Sequence, residues 1–162
     1  MTNIVAKKNQ LDQLGKQVDQ QDEKIRFISQ LIQRAQETLD RIHAAYQQIR
    51  QSEQKLAAIN WLNPLKVKEN RSIKENGEKS IARANETIVY QEKGLDDFRQ
   101  KLGFTTEKEF AQIKQQHEEE TPGLLDQNRK VRQTIRQERE VLQKAENAHK
   151  SIFIRKTAAF VS

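Results

Sequence analysis

Cysteine is absent from this chain of 162 residues, proline occurs twice, glycine five times, and aromatic residues make up only 6%. Without a thiol there is no disulfide, no thiolate metal site and no cysteine nucleophile. So little proline and glycine leaves few places for regular structure to end, which argues against a many-turned fold and for long helices. With 35% apolar residues against 32% charged ones, the chain lacks the material for a thick core. Its length fits one domain or one elongated unit. No stretch approaches the roughly 18 apolar residues of a membrane span, and the opening MTNIVAKKNQ has no apolar run of the secretory kind. The expectation is a soluble cytoplasmic chain, or part of one, and not an integral membrane protein.

What is present is a long periodic stripe. With Leu11 at heptad position a, the a and d positions read Leu11, Leu14, Val18, Gln21, Ile25, Ile28, Ile32, Ala35, Leu39, Ile42, Tyr46, Ile49, Glu53 and Leu56. All but Gln21 and Glu53 are apolar, and no proline interrupts them, which is the pattern of a coiled coil. A helix of that span runs roughly 70 Å at 1.5 Å per residue. So narrow a stripe needs a partner helix, supplied by the same chain, by another protein or by a second copy. Consecutive Ile25, Ile28 and Ile32 at a, d and a do not select one oligomeric state.

The stripe stops at INWLNPLKVKEN, residues 59–70, which holds the only tryptophan and one of the two prolines. Asn60 and Asn63 fall where apolar residues are due, and Pro64 turns Asn63 away from helical geometry. Asn63 is a good N-cap and Pro64 suits a first helical position. The dodecapeptide therefore reads as a corner, with Trp61 placed to cover the open end of the seam. A second helix follows to Leu102, its seam Ile81, Ala84, Ile88, Gln91, Leu95, Phe98 and Leu102, with a kink or fray expected at Gly77. Gly103 reads as a stop, and Thr106 with Glu109 as a capping box, Phe104 and Phe110 packing beside it. Thr121-Pro122 repeats the cap-then-proline signal, so a new helix is expected there, with Leu124, Asn128, Val131, Ile135, Glu138, Leu142, Ala145, His149 and Ile152 in seam spacing.

The fold class read from these signals is all-α: a long antiparallel coiled-coil hairpin with additional helices forming an elongated helical bundle. The divisions are a coiled-coil helix over 1–60, the second arm over 61–103, a short helix over 104–120 and a basic helix with a tail over 121–162. They make a single elongated unit. An open parallel dimer through the first helix is the other arrangement.

Catalytic signatures are missing. His43, His117 and His149 lie far apart with no partner at metal-ligand spacing, and there is no phosphate loop, nucleophile elbow or HExxH. The expectation is a non-enzyme with no catalytic residue, metal, cofactor or small-molecule substrate.

Charge is more informative. The last forty-two residues carry nine Lys and Arg against four Asp and Glu. Arg129, Arg132, Arg136 and Arg139, at steps of three, four and three, line one helix face over about 15 Å. They read either as a phosphate-contacting strip for DNA or as a solvated face pairing with acids of its own bundle. No aromatic residue interleaves them, as a single-strand binder would want. Lys66, Lys68, Arg71 and Lys74 form a second basic cluster after the corner, and together the two sets can make a composite anion surface. The ending SIFIRKTAAFVS reads as a frayed helix end packed on the bundle, or as a membrane-surface or partner-docking tail.

The Gln/Glu/Lys-rich coiled coil, then NWLNPLKVKENRSI, then LDDFRQKLGFTTEKEF, resembles the helical C-terminal region of plasmid mobilisation relaxases of the MobA/MobL type, over roughly residues 20–150. In such relaxases the nicking chemistry belongs to an N-terminal domain with a tyrosine nucleophile and clustered histidines. This chain departs there, because its histidines form no triad and Tyr46 and Tyr90 sit in helical repeats. The resemblance implies the non-catalytic helical part, or a mobilisation accessory protein, working by DNA contact, self-association or delivery to a secretion machine. A purely structural scaffold or spacer is the alternative.

Overall fold

The structure is a computed structural model that describes residues 2–161. Three long helices carry them: α1, Thr2–Ala57; α2, Val67–Leu102; and α3, Glu107–Val161, with a 3-10 turn at Pro64–Lys66 between the first two. The described residues contain no strand, as the all-α reading expects. None of their helices is long and apolar enough to cross a membrane.

The breaks fall where the local chemistry demands them. Asn63 Oδ1 accepts from the Leu65 N–H at 3.1 Å and caps the 3-10 turn, with Pro64 behind it. Gly103 takes the left-handed conformation, φ 75°, and its N–H donates to the Arg99 carbonyl at 2.8 Å. Only glycine enters that region without crowding its own Cβ. At the start of α3 the Glu109 N–H donates to Thr106 Oγ1 at 3.2 Å, while the Glu109 carboxylate reaches back to the Thr105 N–H at 2.8 Å. The box is thus closed through Thr105. The buried rings of Phe104 and Phe110 meet at 5.0 Å across it, the apolar clasp that fixes a helix entry.

Two expected interruptions do not occur. Thr121-Pro122 lies inside α3, which runs unbroken through Pro122 and Gly123. A proline removes one backbone donor and crowds the preceding turn, yet strong helix formers on both sides carry the helix across. The separate helices expected over 104–120 and 121–162 are therefore one. Gly77 does not break α2 either. It is a point of close approach, since a Cβ there would meet Leu56 Cδ2 at 3.0 Å.

The described chain divides into two compact units where one was expected: residues up to Phe27 with those from Gln115 onward form unit 1, and Ile28–Lys114 form unit 2. In unit 2 the core gathers Ile32, Ala35, Leu39 and Ile42 of α1, Leu95 of α2, and Phe104 and Phe110 at the start of α3, with Phe98, Leu102 and Ile113 packed on it. A satellite cluster joins Ala45 and Ile49 to Ala84 and Ile88. All seven α2 seam residues are buried or half-buried. In unit 1 one cluster joins Leu11, Ile135 and Leu142, with Ile4 and Val131 beside them, and Val18 is buried as well.

Within α1 the buried face departs from the ideal heptad. Leu11, Val18, Ile32, Ala35, Leu39 and Ile42 are buried and Ile25, Ile49 and Leu56 half-buried, but Leu14, Ile28 and Tyr46 are exposed. Asp22, Ala45 and Ser52 are buried in place of their neighbours Gln21, Tyr46 and Glu53. Asp22 follows its heptad position by one residue whereas Ala45 and Ser52 precede theirs by one, so no uniform turn of the stripe accounts for both shifts. Small Ala45 and Ser52 let α2 approach, and Ser80 Oγ accepts from Ser52 Oγ at 3.2 Å and from Gln48 at 2.9 Å.

Candidate functional site

The arginine stripe lies on the part of α3 in unit 1, and three of its four members have carboxylate partners. Arg139 donates to Asp12 at 2.8 Å. Arg132 spans Asp19 at 2.9 Å and Asp22. Arg129 pairs with Asp126, one turn back on its own helix. Arg136 has no carboxylate within 4.0 Å among the described residues. It faces an open groove of about 760 Å³ that Asp19, Arg132, Arg139 and Glu140 also line. Gly15 forms part of its floor, and a Cβ at that position would meet nothing within 4 Å.

Beside the stripe is a polar centre that the heptad reading did not anticipate. Asn128 Nδ2 donates to Asp22 Oδ1 at 2.8 Å, both residues are buried, and Arg132 closes on the other Asp22 oxygen. The Asn128 hydrogen bond, then that from Arg132, hold the Asp22 carboxyl below the usual carboxylate range against the opposing effect of burial. Asp19 and Asp22 in turn raise the Arg132 guanidinium above its ordinary value. Further along, Lys8 pairs with Glu146 and lowers its pKa. The order of these pairs is regular: 8 with 146, 12 with 139, 19 with 132, 22 with 128, so partner numbers on α3 fall as those on α1 rise. The sequence signals for this centre were Asn128, a polar residue at a seam position, and Arg132 of the stripe.

The second basic cluster lies at the corner in unit 2. Lys66, Lys68, Arg71 and Lys74 are all exposed. Lys74 reaches Glu78 at 3.9 Å, whereas Lys66, Lys68 and Arg71 have no carboxylate within 4.0 Å among the described residues. Trp61, expected to cover the end of the seam, is half exposed. The stripe and the corner cluster thus belong to different units.

The histidines stay dispersed. His43 Nε2 is 2.7 Å from Glu107 Oε1 in unit 2, His117 is half-buried and His149 exposed. No group of three His, Cys, Asp or Glu among the described residues has the geometry to hold a metal ion. The ending expected to pack as a frayed end is helical through Val161, but Ile152, Phe153 and Ile154 are exposed. Such a short run beyond the paired positions finds no apolar surface to cover it. The side chains of Phe160, Val161 and Ser162 lie outside the described residues. Comparison with known proteins finds no family model, no curated protein and no solved structure that matches this chain.

Proposed function

We propose that this chain is a non-catalytic helical interaction module of the cytoplasm, whose helices pair as an antiparallel coiled coil and present their outer faces to a protein partner or a second copy. The observation that carries the reading is the descending series of polar pairs between α1 and α3 in unit 1. Such a series selects one register and one direction, as polar seam positions do in coiled coils. It also gives most of the arginine stripe an occupation inside the chain, which favours the scaffold over a strip free for phosphates. Light scattering on Leu39→Asp tests it. Leu39 is buried in unit 2, so the reading expects helicity to collapse, whereas retained helicity with a smaller assembly places the seam between chains.

A second, narrower reading follows the likeness to mobilisation relaxases: a part in plasmid mobilisation or another DNA-processing complex, with contact to DNA phosphates or an acidic partner. Arg136 without a carboxylate, beside Arg132 and Arg139 on one groove, favours it. Duplex DNA binding by this route falls steeply as salt rises, and Arg136→Glu weakens it. A mobility-shift titration at low salt that gives no complex removes this reading and leaves the scaffold.

A further inference from the structure

The corner holds an apolar apex that nothing in the packing of unit 2 uses. Leu62 is 92% and Leu65 94% exposed, and Trp61 beside them is 51% exposed. They are not the loose ends of a poorly formed loop. The Leu62 N–H donates to Asn60 Oδ1 at 3.1 Å and the Leu65 N–H to Asn63 Oδ1 at 3.1 Å. The Asn60 carbonyl accepts from the buried Asn70 amide at 3.0 Å. Asparagines shape the backbone, and both leucine side chains are left in water. At that exposure neither leucine adds packing to unit 2.

Around this apex the charge is mostly positive. Between Lys55 and Lys74 the chain has five basic residues, Lys55, Lys66, Lys68, Arg71 and Lys74, against the single acid Glu69. A surface that satisfies both features offers negative charge at one level and hydrocarbon just beneath it. Nucleic acid would neutralise the lysines but leave two leucines wet. The interface of an anionic bilayer takes up all three elements: leucines in the acyl boundary, the indole at headgroup level, and basic side chains on the anionic lipids.

We propose that the corner formed by Trp61, Leu62, Leu65, Lys66, Lys68 and Arg71 is a peripheral docking tip for anionic phospholipid membranes. The inference rests on the corner alone and stands or falls separately from the reading of the helical seam. Attachment is reversible, because two leucines and a few charges fall well short of a spanning helix.

Trp61 is the only tryptophan, so its emission reports on the tip directly. The full chain is titrated with vesicles of phosphatidylcholine and phosphatidylserine, and with vesicles of phosphatidylcholine alone. The expected result is co-sedimentation and a blue shift with the anionic vesicles only, reversed by salt, with quenching by brominated acyl chains. Leu62→Ser with Leu65→Ser lowers partitioning about tenfold or more, and Lys66→Glu with Lys68→Glu also by about tenfold or more. Circular dichroism stays unchanged in both, since all four side chains are exposed. No co-sedimentation with anionic vesicles overturns the proposal, as does co-sedimentation that leaves Trp61 emission unmoved. Two further results overturn it by assigning the tip elsewhere. One is a DNA complex that depends on Leu62 and Leu65. The other is Trp61 emission already blue in vesicle-free buffer that moves red on dilution, which means a second copy covers the leucines.

Discussion

Unit 2 closes on Ile32, Leu39, Ile42, Leu95, Phe104 and Phe110, whereas unit 1 closes on a thinner apolar set, Leu11, Val18, Ile135 and Leu142, and a ladder of charges. Both use the same helix, α1, yet it meets its partners by different chemistry in each. In unit 2 a tight capping turn brings α2 and the start of α3 against one stretch of α1, and apolar area suffices to fix the arrangement. In unit 1 the apolar stripe is thin, and hydrophobic contact alone discriminates poorly between registers. There the Asp22, Asn128 and Arg132 centre supplies what leucine cannot, because a shift of register strands a buried carboxylate without its donors.

The largest effect is expected from removing the unit 2 core. Leu95 is 1% exposed, so Leu95→Ala loses both transfer energy and packing and destabilises by about 2–5 kcal/mol, measured by urea unfolding followed by circular dichroism. Leu142→Ala, on the thinner seam of unit 1, falls at the low end of that range. Next comes the polar centre: Asn128→Leu leaves Asp22 short of a buried donor and costs about 1–3 kcal/mol. The double change Asp22→Leu with Asn128→Leu sharpens the comparison, for it restores most of the stability while broadening the distribution of oligomeric states seen by sedimentation velocity.

Acid separates the units further. Asp22 and Glu146 both have pKa values lowered in the fold, by Asn128 with Arg132 and by Lys8. A carboxylate of this kind stabilises fully above its unfolded value, about 4, and its contribution disappears as pH falls through the lower folded value. Unit 1 therefore loosens below about pH 4, while the apolar core of unit 2 persists, and Asp22→Asn flattens that dependence. The smallest effect is favourable. Gly15 lies inside α1 with open space where a Cβ would be, so Gly15→Ala stabilises by about 0.5–1 kcal/mol. Gly77→Ala gains no such amount, because Leu56 must give way.

Local signals were legible where one residue type has one use. Gly103, the Thr106 and Glu109 box, Asn63 before Pro64 and the α2 seam from Ile81 to Leu102 could all be read from type and spacing. Pro122 misled because its cost of about 3 kcal/mol is small beside the propensity and packing of the long helix around it. Which α1 face is buried, Ala45 for Tyr46 and Asp22 for Gln21, depends on the helix that covers it, and a heptad count carries no such information. The arginines were visible as a stripe, but their partners lie more than a hundred residues away for Arg132 and Arg139. The two leucines of the corner were read as part of a turn, and only their exposure marks them as a surface.

Hydrogen exchange on the full chain, followed by mass spectrometry from neutral pH to about pH 3 and read peptide by peptide, tests the central contrast most directly. The account predicts that protection around Asp22 and around Asn128 to Leu142 falls with acid while that around Leu95 and Phe110 persists. Loss of protection in both regions at the same pH would contradict it, for then one cooperative core, and not two differently built units, holds the helices.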